Sequence, residues 1–238
     1  MTHPLTEQAA SLFNIQLSPE QIAQFETYAR ELAVWNVHTN LTAIVEPDAV
    51  RVRHFLDSLS IVQAVALHPG MRLMDVGTGA GFPGLPLLIA FPGIHVTLLE
   101  ATGKKVTFLE HILKTLGLNG GEAVHARAEE AGHNPQHRGR YDVVLARSVA
   151  RLPSLVEYML PLAQVNGVCI AMKGATAAAE ASDAKRALTL LGGRVKIIEA
   201  VHLPDVSEAH HLVVIEKITH TPGAYPRKPG TPTQKPLT

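Results

Sequence analysis

The sequence predicts an α/β domain built on one mostly parallel, doubly wound sheet and preceded by an all-helical segment. Three observations predict it. From Arg72 onward, short apolar runs alternate with longer helical patterns, the texture of repeated βαβ units. A glycine-rich turn follows the first of those runs directly, where a chain leaving a strand for a helix must bend sharply. The last two apolar runs have only Leu203 to His210 between them, too little for a crossover helix, so they should pair antiparallel.

Taken in order, the first clear element starts at Ser18-Pro19-Glu20-Gln21. Ser18 caps, Pro19 fits the first turn, and Gln21 completes a capping box. Ile22, Phe25, Ala29 and Leu32 follow at helical spacing, and the helix is expected to end near Trp35. Asn36 to Thr42 reads as a polar connection, and Pro47 opens a second helix through Val52, Leu56 and Leu59. Strands are then expected near Arg72–Val76, His95–Leu99, Glu122–His125, Tyr141–Ala146, Val165–Met172, Arg194–Val201 and His211–Glu216. Helices should fill Pro83–Ala90, Lys104–Leu116, Pro153–Leu160 and Ala177–Leu191. The chain thus divides into a helical segment over residues 1–68, a sheet domain over 69–217 and a basic, proline-rich arm over 218–238. Five of the sixteen prolines fall in that arm, which is expected to be extended or mobile.

Composition narrows the function classes. With 238 residues and 46% hydrophobic content, the chain can build a large core alone. No apolar run approaches the roughly 18 residues that span a bilayer, and the N-terminus lacks a basic stretch leading into an apolar one, so a cytoplasmic protein is expected. Cys169 is the single cysteine, which excludes an internal disulfide framework and a cysteine-rich zinc site. None of the thirteen histidines falls in a metal-ligand spacing, so no metal is expected. Lys+Arg and Asp+Glu balance at 21 each, and bulk charge therefore names no partner.

The glycine turn carries the chemistry. Leu73-Met74-Asp75-Val76 runs into Gly77-Thr78-Gly79-Ala80-Gly81-Phe82-Pro83-Gly84, and Glu100 closes the next strand, where a carboxylate can accept hydrogen bonds from ribose hydroxyls. Two ligand classes fit. Gly79-x-Gly81-x-x-Gly84 matches a dinucleotide fingerprint, with Glu100 about 20 residues on. Against that, an acid at Asp75, the surplus Gly77-Thr78 and the closing hairpin favour the methyl donor S-adenosylmethionine (AdoMet). On this reading the sheet is the seven-stranded, Rossmann-like sheet of a class I methyltransferase, with helices on both faces. An NAD(P)-binding oxidoreductase is the competing reading.

Which nucleophile would accept the methyl group is argued from absences. Cys169 lies in a buried-strand context and reads as core rather than as a nucleophile. Asn134-Pro135-Gln136-His137 does not match the turn used for exocyclic amines and precedes the fourth strand. After that strand comes Ala146-Arg147-Ser148. A ring nitrogen such as guanine N7 needs orientation and no base, which an arginine can give through guanine O6 or a phosphate.

These residues resemble the bacterial small-subunit rRNA guanine-N7 methyltransferase family, RsmG or GidB. The resemblance runs through Trp35-Asn36, Asn40-Leu41-Thr42, Arg53-His54-Phe55-Leu56-Asp57-Ser58-Leu59 and the glycine turn with its Phe-Pro-Gly ending. It continues through Leu99-Glu100, Gly103-Lys104-Lys105, Arg127-Ala128-Glu129-Glu130, Ala146-Arg147-Ser148 and Met172-Lys173-Gly174 to Tyr225-Pro226-Arg227-Lys228-Pro229-Gly230. It implies methylation of a guanine N7 in the 530 loop of 16S rRNA, with AdoMet as cofactor, AdoHcy as product, and naked 16S rRNA or the 30S subunit as partner. Carried over by position, Gly77, Phe82, Glu100, Ala128, Glu129 and Arg147 should contact the cofactor, with Arg147 also at the reacting centre. His54 and Asp57 are read either as shaping an RNA cleft or as part of a buried helix. Arg127, Lys173, Arg227 and Lys228 are expected on RNA phosphate, no membrane is involved, and a monomer is expected. A non-catalytic rRNA-binding assembly factor is the remaining alternative.

Overall fold

The computed structural model describes residues 3–238. The N-terminal segment is helical, as its periodicity predicts, and holds one helix more than the capping signals marked: α1 (Pro4–Phe13), which buries Leu5 and Ala9. In α2 (Pro19–Thr39) the Ser18–Gln21 capping box forms in both directions. The helix outruns its expected end at Trp35 by a turn, because Asn36 ties down the chain beyond it. Its side-chain amide donates to the Thr42 carbonyl at 2.9 Å, while its oxygen accepts the N–H groups of Leu41 and Thr42 at 2.6 and 2.9 Å. Asn40 then takes a left-handed conformation that ends the helix.

The helix opened by Pro47 is not uniform. α3 (Pro47–Val50) widens into a π-helical stretch, Arg51–Leu56, and narrows again through α4 (Asp57–Leu59) into a 3-10 turn over Ser60–Gln63. The wide stretch changes which residues share a face, and such stretches recur at functional sites.

The sheet contains β1 (Arg72–Val76), β2 (His95–Glu100), β3 (Gly121–His125), β4 (Tyr141–Arg147), β5 (Ala163–Lys173), β6 (Gly193–Val201) and β7 (His210–Lys217) in the order β3-β2-β1-β4-β5-β7-β6. The first five are parallel; β7 runs antiparallel between β5 and β6, as the short Leu203–His210 connection predicts. The strand order reverses between β1 and β4, so a crevice opens at their carboxyl ends.

Two cores follow from the strand period. Leu73 packs on one face with the N-terminal helices, α5 (Gly84–Ala90) and α6 (Gly103–Thr115). Met74 and Val76 face the other side. There the short α7 (Ala128–Ala131), α8 (Leu152–Met159), and the consecutive α9 (Ala177–Asp183) and α10 (Lys185–Leu191) close the core. Among the described residues, no helix is long and apolar enough to cross a membrane.

The arm over 218–238 departs from expectation. It folds back along α8 and ends in α11 (Thr231–Gln234). Ser154 donates to the Pro232 carbonyl and Tyr158 pairs with the Thr233 hydroxyl, both at 2.8 Å. Lys217, at the arm's root, is buried rather than part of a basic surface. Its ammonium donates to the Leu191 carbonyl and the Thr221 hydroxyl, and burial pulls its pKa down to about 8.

Candidate active site at the carboxyl edge of the sheet

The glycine turn is held from below by two carboxylates. Fully buried Asp75 uses one oxygen, Oδ2, to accept both the Thr78 hydroxyl at 2.6 Å and the Gly84 N–H at 2.8 Å. Its other oxygen is enclosed without a partner, and burial raises its pKa to about 6. Glu100 accepts the Gly79 N–H at 3.0 Å through Oε2 and the Thr102 N–H at 2.8 Å through Oε1. From above, the Tyr28 hydroxyl reaches in from α2 and donates to the Ala80 carbonyl at 2.5 Å. Gly77 and Gly79 have φ of +65° and +63°. A Cβ on Gly77 would meet Val149 at 2.9 Å, whereas the space in front of Gly79 is open.

This arrangement separates the two ligand classes that the sequence leaves open. A pyrophosphate needs free amides and a positive helix N-terminus at the glycine turn. Here the Gly84 N–H that opens α5 already serves Asp75, and those of Gly79 and Thr102 serve Glu100. The turn presents carboxylate charge. That charge repels a phosphate and favours a sulfonium cation.

Across a cavity of about 460 Å³, the turn faces the π-helical stretch and the ends of β4, β5 and β7. Gly77, Phe82, Arg147 and Lys173 all line it, together with His54, Asp57 and His210. Arg147 is fixed on three sides. Nη1 donates to Asp57 Oδ2 at 2.9 Å and to the Arg53 carbonyl at 3.0 Å, while Nη2 lies 3.1 Å from His54 Nδ1. The guanidinium lies 5.0 Å from the Phe82 ring centroid, and the His54 ring stacks on the same phenyl at 4.3 Å. His54 Nδ1 lies 3.1 Å from both Arg147 Nη2 and the Arg53 carbonyl, and its Nε2 lies 2.8 Å from Thr42 Oγ1, so the ring is held at both nitrogens. Burial, and then the Arg147 charge, lower the His54 pKa to about 4, which keeps the ring neutral. Asp57 spends its second oxygen, Oδ1, on His210 Nδ1 at 2.9 Å, and that bond raises the histidine's pKa.

Asp57 reaches the cavity because the π-helical stretch places the Arg53 carbonyl, the His54 ring and the Asp57 carboxylate around one guanidinium. A regular helical pattern gives no sign of this. His210, which the sequence offers only as a surface or supporting histidine at a strand start, joins the site because Asp57 meets it from across the fold.

Other expected site residues lie elsewhere. Glu100 sits beneath the turn. Ala128 and Glu129 open α7 beyond β3, and Glu129 is buried, with Oε1 accepting the Gly230 N–H at 2.9 Å. Two cations expected on phosphate are committed within the protein. The Lys173 ammonium is 2.7 Å from Glu180 and donates to the Ala150 carbonyl at 2.6 Å, bracing the chain after β4. Arg227 forks onto the fully buried Glu157, with Nε and Nη2 donating at 2.9 and 2.6 Å. Arg127 and Lys228 are exposed. Cys169 is buried in β5, and burial pushes its pKa up to about 12, so it supplies no thiolate.

The strand order, the reversed last strand and the acidic glycine turn define a class I methyltransferase. A geranyl diphosphate methyltransferase solved in complex with SAM superposes with a TM-score of 0.54 at 12% identity, covering 68% of this chain and 84% of its own length. The chain belongs to the family described as rRNA small subunit methyltransferase G (GidB), whose model matches residues 21–213. It is 45% identical over 239 residues to the ribosomal RNA small subunit methyltransferase G of Lactobacillus delbrueckii subsp. bulgaricus, covering 100% of both chains. The protein of that name from Pelotomaculum thermopropionicum is 47% identical over 231 residues, 97% of each chain.

Proposed function

We propose that this chain is an AdoMet-dependent methyltransferase that transfers a methyl group to guanine N7 in 16S rRNA. The observation that carries the cofactor half is the pair of carboxylates, Asp75 and Glu100, that occupy the amides of the glycine turn. The rRNA half rests on membership of the family and on the full-length relatives named for that activity.

Gly77, Gly79 and Phe82 would hold the cofactor, with Glu100 toward its ribose and Ala128-Glu129 toward its adenine. Bound AdoMet supplies an electrophilic methyl carbon. The protein's own task is then placement of the acceptor. Guanine N7 carries a lone pair and loses no proton, which suits a cavity whose histidine beside Arg147 is neutral and a chain whose single cysteine is buried in the core. Of the five N–H donors of Arg147, three serve Asp57, Arg53 and His54. The remaining two, at Nη2 and Nε, are available for guanine O6, for a phosphate or for the cofactor. Exposed Arg127 and Lys228 are the candidates for phosphate contacts, and their loss should lower the salt dependence of RNA binding.

The test is to map N7-methylguanine in the 16S rRNA of cells lacking the protein, and to add it back in vitro to naked rRNA and to 30S subunits with AdoMet. An unchanged methylation pattern in those cells, or a purified protein that binds a nicotinamide cofactor and ignores AdoHcy, defeats the reading.

A further inference from the structure

The carboxyl-terminal arm is tied to the loop and helix that follow β3 by a dense set of polar bonds. Arg138 donates to four carbonyls: Gly132 at 2.5 Å, Tyr225 at 2.8 Å, Thr221 at 2.9 Å and Pro222 at 3.2 Å. His133 pairs with the Pro226 carbonyl at 2.6 Å, and a Cβ on Gly132 would strike Pro226 at 2.6 Å. Arg227 is chelated by Glu157, and α11 is pinned by Ser154 and Tyr158. All of this converges on one contact. Gly230, held at φ +82°, directs its N–H at Glu129 Oε1. Among the described residues Glu129 Oε2 has no partner, and although the side chain is buried this oxygen is not fully enclosed.

The position of Glu129 gives this contact a meaning. β2 and β3 end side by side, with Glu100 opposite His125 and the Ala126 N–H donating to the Glu100 carbonyl at 3.2 Å. A nucleoside lying along the carboxyl edge from Gly77 past Glu100 therefore runs toward the start of α7. We propose that the arm is a positioning strap for the cofactor site: it takes one oxygen of Glu129 and leaves the other aimed to accept an exocyclic amine such as that of adenine. The proposal rests on the AdoMet reading above, and it moves Arg227 from RNA binding to positioning of the cofactor site, while exposed Lys228 stays a candidate for phosphate.

Full-length protein tests it by calorimetric titration with AdoHcy, with Tm and the KM for 30S subunits measured on each variant. Gly230→Pro deletes the donor and cannot adopt the positive φ; it should weaken AdoHcy about tenfold and leave the KM for 30S subunits within about twofold. Glu129→Ala should weaken it at least as much. The double variant should bind no worse than Glu129→Ala alone, because both changes cut the same link. Tyr158→Phe frees the strap from Thr233 without altering the backbone and should give a smaller loss in the same direction, which serves if Gly230→Pro does not fold. Wild-type AdoHcy affinity in folded Gly230→Pro or Tyr158→Phe, additive losses in the double variant, or a raised KM for 30S subunits with unchanged AdoHcy affinity would each overturn the proposal. Failure of the wild-type protein to bind AdoHcy would instead strike the functional reading itself.

Discussion

Two arginine–carboxylate pairs sit on opposite flanks of this molecule, and they differ in what is left over. Arg147 meets a nearly buried Asp57, but that carboxylate is shared with His210, and the guanidinium keeps two donors at the edge of a cavity. Arg227 meets a fully buried Glu157 that serves it alone, through side chain and backbone N–H together. The first pair fixes a guanidinium in place while leaving two of its donors open to a ligand. The second is closed and works as a rivet. On the proposed reading, similar residue pairs bind a ligand directly on one flank and anchor the chain on the other, and the free donors make the difference.

The contrast is sharpest at Arg147→Ala. Methylation of 30S subunits should fall by about 100-fold or more, the scale for losing a preorganised donor, while Tm changes far less than at the other pair. Arg227→Leu should tell chiefly on stability, with only the smaller loss of AdoHcy affinity that a loosened strap implies. Stranding the Glu157 charge should cost about 3 kcal/mol in a denaturant titration, and the Arg227→Leu/Glu157→Leu double variant should recover most of it. The corresponding double change at Arg147 and Asp57 should recover stability and no activity. If both doubles behave alike, the two pairs do not differ in role.

Asp57→Asn should lie between these extremes. It keeps the size of the side chain but loses the charge that grips Arg147 and His210, and kcat should fall about tenfold with AdoHcy affinity kept. The smallest effect concerns Asp75, whose pKa of about 6 lies above its ordinary value because of burial. Below that pH the carboxyl is neutral and the attraction for a sulfonium weakens. The ratio of AdoMet to AdoHcy affinity should therefore drop a few-fold from pH 7.5 to 5.5, since only AdoMet carries the sulfonium. A flat ratio would show that Asp75 shapes the turn without contributing charge. For stability the sign is opposite. The raised pKa means the folded state binds more protons between pH 4 and 6, so this group's contribution declines as pH rises through that window and is level above it.

Much of this was legible in the residues. The Ser18–Gln21 cap, the seven strands and the antiparallel closure are local signals of period, cap and spacing. They survive into the fold because packing agrees with them. Gly77, Phe82 and Arg147 also converge on one cavity. The basic residues were the weak point. Lys173 and Arg227 read as phosphate-facing, yet Lys173 is tied to Glu180 and the Ala150 carbonyl, and Arg227 to Glu157 from a distant part of the chain. Charge along a chain does not reveal its partner, because a cation's position on or beneath the surface depends on where a carboxylate or carbonyl arrives from elsewhere.

By itself, then, the sequence determined the strand–helix alternation, the glycine turn with acids at Asp75 and Glu100, and the family to which they belong. These are properties of contiguous residues obeying local steric and hydrogen-bonding rules. Only the tertiary structure decided which acid holds Arg147, that His54 is neutral, and that the arm folds back onto Glu129 rather than reaching into solvent. Each of these depends on contacts between segments dozens of residues apart, and on the burial that fixes their protonation.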